Sequence, residues 1–118
     1  MNEVKIDERC FEFSLLIIAL YKHLLKNNEY VLSKQLLRSG TSIGANVEEA
    51  QAAQSRKDFI SKMSIASKEA RESKYWIRLL NHSDYLNNFD KKEELIVEIN
   101  SIVNIITKIV KTTKEKEV

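Results

Sequence analysis

Residues 55–80 read SRKDFISKMSIASKEARESKYWIRLL, and this stretch decides the fold class. Its apolar or small positions, Phe59, Met63, Ala66, Ala70, Ser73, Ile77 and Leu80, alternate at spacings of four and three. That spacing lines one face of a helix packed against other helices. Ser55, with Asp58 three residues on, resembles a capping box with Asp in place of Glu. A helix over about 56–80 is the prediction.

The same periodicity continues on both sides. Upstream, Ile6, Cys10, Phe13, Ile17, Leu20 and Leu24 form one stripe of a helix expected over 7–26, and Phe11, Leu15, Ile18 and Leu25 form a second. One stripe suffices for a helix on the side of a monomeric bundle. Two imply a helix that is central or covered by another subunit. Asn27-Asn28 reads as a turn into a second helix over 29–54, carrying Leu32, Leu36, Ile43, Val47 and Ala50. Its middle, Ser39 to Asn46, holds Gly40 and Gly44 among small residues, which weakens the helix but lets another backbone approach closely. Downstream, Asn81 to Asp90 is a polar loop. A fourth helix over 91–113 follows, with Leu95, Ile99, Ile102, Ile106 and Ile109 on one stripe and Ile96, Val103 and Val110 on another. The charged tail from Lys114 to Val118 is expected to fray.

Four such helices with short connections predict one all-α domain over 1–118, an antiparallel up-down-up-down four-helix bundle. Composition agrees. The 118 residues include no Pro and two Gly, too few turn formers for a many-stranded β fold. The lone Cys10 rules out an intrachain disulfide and fits a reducing compartment. The acidic residues and missing apolar run at the start do not resemble a signal peptide. The longest apolar stretch, Leu15 to Tyr21, falls well short of the ~20 residues that span a bilayer. A cytoplasmic protein without a membrane partner is expected.

Nineteen basic against seventeen acidic residues give a net of +2, which neither demands nor excludes nucleic acid. The charge is unevenly placed. The third helix carries seven basic and three acidic residues, a net of +4, leaving −2 on the remainder. Lys57, Lys68, Arg71, Tyr75 and Arg78 fall in one sector opposite the Phe59–Leu80 stripe, with Lys74 beside them. A basic row with an interleaved aromatic can follow a phosphate backbone, binding through counterion release. The alternative is a solvated face partly neutralised by Glu69 and Glu72. Ile65 and Trp76 lie to one side of the core stripe and either cap the bundle edge or anchor a partner. With Phe11, Leu15, Ile18, Ile96 and Val103 they are the candidate subunit contacts.

Catalytic and metal chemistry finds no pattern here. Glu48 and Glu49 are adjacent and so point two ways on a helix, without the Glu-x-x-His of a di-metal site. His23 and His82 each lack a second ligand at helical spacing. Cys10 lies on the core stripe and reads as a small hydrophobe. No phosphate-binding or nucleophile-elbow motif occurs, so no enzyme and no cofactor are expected.

The stretch from Leu36 to Ala50, LLRSGTSIGANVEEA, resembles the signature of the four-helix-bundle proteins called 23S rRNA-intervening sequence proteins. That pattern is an Arg, small residues, Ser-Ile, Pro or Gly, a small residue, Asn, an aliphatic and a Glu. The likeness covers about Leu16 to Ile109, including the third helix from Phe59 to Leu80. Arg38, Ser42, Asn46 and Glu49 occupy signature positions. The family often has two successive Arg where this chain has Leu37-Arg38, which weakens a basic site on the second helix, and a Gly where it has Ala50. The resemblance implies a ring-like homopentamer without enzymatic activity, and RNA binding suggested by genes inside intervening sequences of ribosomal RNA genes. A related accessory protein of diversity-generating retroelements is a basic pentameric bundle that binds nucleic acid and a reverse transcriptase. Self-association is therefore expected, with RNA or other nucleic acid as the further partner; the alternative is a structural or protein-interaction scaffold that binds a protein partner and no nucleic acid. Arg38 joins the candidate nucleic-acid contacts, while Ser42, Asn46 and Glu49 are expected to set helix packing or subunit contacts.

Overall fold

The computed structural model describes residues 5–116. The first four residues, part of the start compared above with a signal peptide, and residues 117–118 of the tail expected to fray lie outside the described residues. Four helices follow in order: α1 Ile6–Lys26, α2 Leu32–Gln51, α3 Arg56–His82 and α4 Lys92–Glu115. Among the described residues there is no strand.

The stripes converge on one core. α1 buries Cys10, Phe13, Leu16, Ile17, Leu20 and Leu24, and α3 buries Met63, Ala66, Ala70, Ser73, Ile77 and Leu80. Leu36, Ile43 and Val47 of α2 and Leu95, Ile99, Ile102 and Ile106 of α4 complete it. Each large side chain so buried contributes roughly 1.5–3 kcal/mol of transfer free energy. The connection between α3 and α4 adds Leu86 and Phe89, the latter tilted against His23 with ring centroids 5.3 Å apart.

The turns solve a problem that the composition poses, since both Gly lie inside α2. After α1 the Glu29 N–H reaches back to the Leu24 carbonyl (2.9 Å) and the Asn28 N–H to Leu25 (3.1 Å). After α3 the Tyr85 N–H bonds Leu80 (3.0 Å) and the Asp84 N–H bonds Asn81 (3.2 Å). These are paired Schellman bonds, and they need a left-handed residue between them. Asn28 (φ 63°) and Asp84 (φ 67°) take that conformation, which short polar side chains tolerate best after Gly.

α2 starts at Leu32, three residues later than its periodicity suggests, because Glu29 caps the helix from outside. The buried Glu29 carboxylate accepts the N–H groups of Leu32 (2.9 Å) and Ser33 (2.6 Å), and the Ser33 hydroxyl donates to the Glu29 carbonyl (2.9 Å). Negative charge there also complements the helix dipole. α2 ends at Gln51, three residues before the expected 54. Ser55 is extended and its hydroxyl accepts the Asp58 N–H (3.0 Å), as a cap should. The reciprocal Asp58 contact goes to the Gln54 N–H (3.4 Å), one residue before the expected Ser55. α3 and α4 each run two residues beyond their expected ends.

α2 packs most closely on α3 and next on α1, α4 packs mainly on α3, and α1 and α4 meet least. Small residues set the close approaches. A Cβ on Gly40 would stand 2.8 Å from Ile17 Cγ1, whereas one on Gly44 would stand 3.4 Å from Cys10 Cβ. The buried hydroxyls of Ser39 and Ser73 share a 2.9 Å hydrogen bond between α2 and α3. Where α1 and α4 meet, the Arg9 guanidinium donates two hydrogen bonds to Glu98 (3.0 and 2.8 Å). That hydrogen bonding raises the Arg9 pKa above its ordinary value. The pair is partly exposed, so it contributes no more than ~1 kcal/mol. Burial, with Glu98 nearby, pushes the Cys10 thiol up to about 12, so it stays protonated and unreactive.

Candidate nucleic-acid interface

The length and straight periodicity of α3 place Lys57, Lys68, Arg71 and Arg78 on its outer side, all exposed, with Lys74 half-buried beside them. From Lys57 to Arg78 the row extends about 30 Å at 1.5 Å per residue. None of these five cations forms an ion pair among the described residues.

The acidic residues that could have neutralised this row are occupied elsewhere. Glu69 and Glu72 turn toward α2 and hold Arg38: its Nη1 donates to Glu69 at 3.0 Å and its Nη2 donates to Glu72. Arg38 is thus half-exposed but already satisfied by two carboxylates, and it joins α2 to α3 instead of adding a free cation. Glu49 of the signature makes a second link, to Lys62 of α3 (3.2 Å). Ser42 and Asn46 bond within α2, the Ser42 hydroxyl to the Arg38 carbonyl (2.6 Å) and the Asn46 amide to the Ser42 carbonyl (2.8 Å). Of the signature positions, Arg38 and Glu49 thus reach across to α3, while Ser42 and Asn46 bond within α2.

On its other flank the basic row borders α4, where Arg71 Nη2 donates to the Thr107 hydroxyl (3.3 Å). Residues at i, i+4 and i+7 share a helix face. Lys111 and Lys114 stand at those positions from Thr107, both exposed, and so continue the positive charge along the α3–α4 seam. The sequence signal for them was this spacing, which acquires meaning once Thr107 is known to touch α3.

The aromatic pair sits beside the row. Trp76 is half-buried against the core and its indole N–H donates to Glu72 (3.0 Å), so it closes the bundle edge. Tyr75 remains 53% exposed, its ring 5.4 Å from that of Trp76 at 62°.

The candidate subunit contacts separate into two groups. Phe11 (60% exposed), Leu15 (48%) and Ile18 (38%) form an open apolar face on α1, and Ile65 of α3 is also exposed. Phe11 borders a shallow cleft with Thr41 and Ala45 of α2, and Leu15 borders another with Lys91 and Glu94. Ile96 and Val103 instead pack half-buried against the chain's own core. His23 and His82 lie on separate helices, and among the described residues no three potential metal ligands cluster. No helix among them is long and apolar enough to cross a membrane.

A family model for 23S rRNA-intervening sequence proteins matches residues 2–108. A 1.70 Å crystal structure of a protein of unknown function, from the S23 ribosomal protein family of Bacteroides thetaiotaomicron VPI-5482, is similar with a TM-score of 0.84. Its identity to this chain is 44%, over 91% of this chain and 99% of the other. No curated protein matches.

Proposed function

The chain belongs to the 23S rRNA-intervening sequence protein family, and from that premise we propose that it is a non-enzymatic bundle that binds RNA or another nucleic acid along the α3–α4 seam. One observation carries the proposal: the acidic residues at the middle of α3 are spent on Arg38, leaving Lys57, Lys68, Arg71, Lys74 and Arg78 without carboxylate partners among the described residues. An unpaired row of this length suits a polyanion, because each phosphate contact releases a condensed counterion. A merely solvated face would gain nothing by keeping its acids on the far flank.

Self-assembly belongs to the same proposal. Successive helices pack on one another in chain order, which supports an up-down-up-down path. That leaves the open face of α1 to a second copy, where contact would remove Phe11, Leu15 and Ile18 from water. A ring of five is the assembly the family resemblance suggests. Light scattering is expected to give a multiple of the 13.7 kDa chain mass, near five, that rises when a ribosomal RNA fragment is added. A 13.7 kDa species unchanged by RNA would defeat both parts.

A further inference from the structure

We infer that the α3 face takes a single-stranded polynucleotide, with one base stacked on Tyr75 while Lys68, Arg71, Lys74 and Arg78 hold the phosphates on either side. This rests on the binding proposed above and narrows its ligand. Tyr75 stands within the basic row, four residues after Arg71 and three before Arg78, so cations lie about one helical turn from the ring on both sides. Apart from its edge contact with Trp76, the side chain is more than half open, although an aromatic ring gains from burial.

The ring is also held in place. Trp76 meets it at 62°, the Trp76 indole is fixed by Glu72, and Glu72 is fixed in turn by Arg38 from α2. A platform ordered before binding loses little entropy when a base arrives. Duplexes offer phosphates but keep their bases stacked on one another, so they have no use for such a ring. A flexible single strand can present a base to the ring and its backbone to the cations together.

The test compares a labelled oligouridylate of about 12 nucleotides with an RNA duplex of equal phosphate number, by fluorescence anisotropy, for wild type, Tyr75→Leu and Tyr75→Phe. Tyr75→Leu is expected to weaken single-strand binding about five- to hundredfold, the range for losing one stacked base. Its salt slope should stay unchanged because no phosphate contact is lost, and duplex binding should hold. Tyr75→Phe should bind the single strand within about twofold of wild type, since the π-face remains. Trp76, the one tryptophan, gives a second readout: its emission should respond to oligouridylate in wild type and not to the duplex. If Tyr75→Leu binds both ligands like wild type with the same steep salt dependence, stacking is wrong while the basic seam stands. If wild type binds neither ligand, the seam and this inference fall together.

Discussion

Changing Lys68 and Arg71 together to glutamate is expected to lower nucleic-acid affinity about a hundredfold or more at 0.1 M salt. Counterion release gives each phosphate contact a slope of about −0.7 to −0.9 in log K against log salt. The five α3 contacts by Lys57, Lys68, Arg71, Lys74 and Arg78 therefore contribute about −3.5 to −4.5 to the wild-type slope, and Lys111 and Lys114 of α4 steepen it further. Relative to 1 M salt, two contacts account for roughly 1.4–1.8 log units at 0.1 M, and two new carboxylates add repulsion. The variant's slope should be flatter than wild type by about 1.4 to 1.8. Folding should be unaffected, because both side chains are exposed and the one side-chain hydrogen bond they sacrifice among the described residues is Arg71–Thr107. Anisotropy titrations at several salt concentrations, with circular dichroism as the folding control, check this. Unchanged affinity with an unchanged slope would remove α3 from the interface.

The second large effect concerns the α1–α2 join. Gly40→Val is expected to destabilise the fold by about 3 kcal/mol, toward the upper end of overpacking costs. Its Cβ would stand 2.8 Å from Ile17 Cγ1 and 3.1 Å from both Cδ1 and Cγ2, and Ile17 is itself buried among core residues with no room to retreat. Two further methyl carbons then have to fit the same space. Gly44→Ala should go the other way. Its nearest neighbours, Cys10 Cβ and the Cys10 carbonyl oxygen, lie at 3.4 Å, a tolerable contact. Alanine is favoured over glycine inside a helix by up to ~1 kcal/mol, so a small gain is expected. Urea melts of the two variants beside wild type decide it. Equal effects of both substitutions would mean that the join is not set by Gly40.

How far the residues announced this structure can be judged position by position. The α3 stripe was legible because its seven inward positions keep one spacing over six turns, and all of them lie toward the core, Phe59 only partly. Cys10 was legible for the same reason. Glu29 was not: a glutamate before an apolar run looks like the first turn of a helix, and its role as a cap appears when Asn28 turns left-handed and brings the carboxylate back over Ser33.

Arg38 shows a different limit. The resemblance marked it as a candidate phosphate contact, and Glu69 and Glu72 looked like neighbours of the basic row. Which flank of α3 faces α2 is a tertiary fact, and it assigns those two carboxylates to Arg38 instead. By the same reasoning Ile96 and Val103, a second stripe on α4, turn out half-buried within the chain itself, because a helix crossing α3 can cover two stripes at once. Lys111 and Lys114 stood in or beside a tail expected to fray, yet α4 continues through them to Glu115.

Lysine acetylation footprinting by mass spectrometry, with and without saturating RNA and at low extents of modification, tests the proposed seam most directly, because it maps the contact on the wild-type sequence. Lys57, Lys68, Lys74, Lys111 and Lys114 are expected to be protected by RNA, while the exposed Lys22 and Lys26 of α1 and Lys34 of α2 react at unchanged rates. Protection confined to Lys22, Lys26 and Lys34, or no protection anywhere, would contradict binding along α3 and α4.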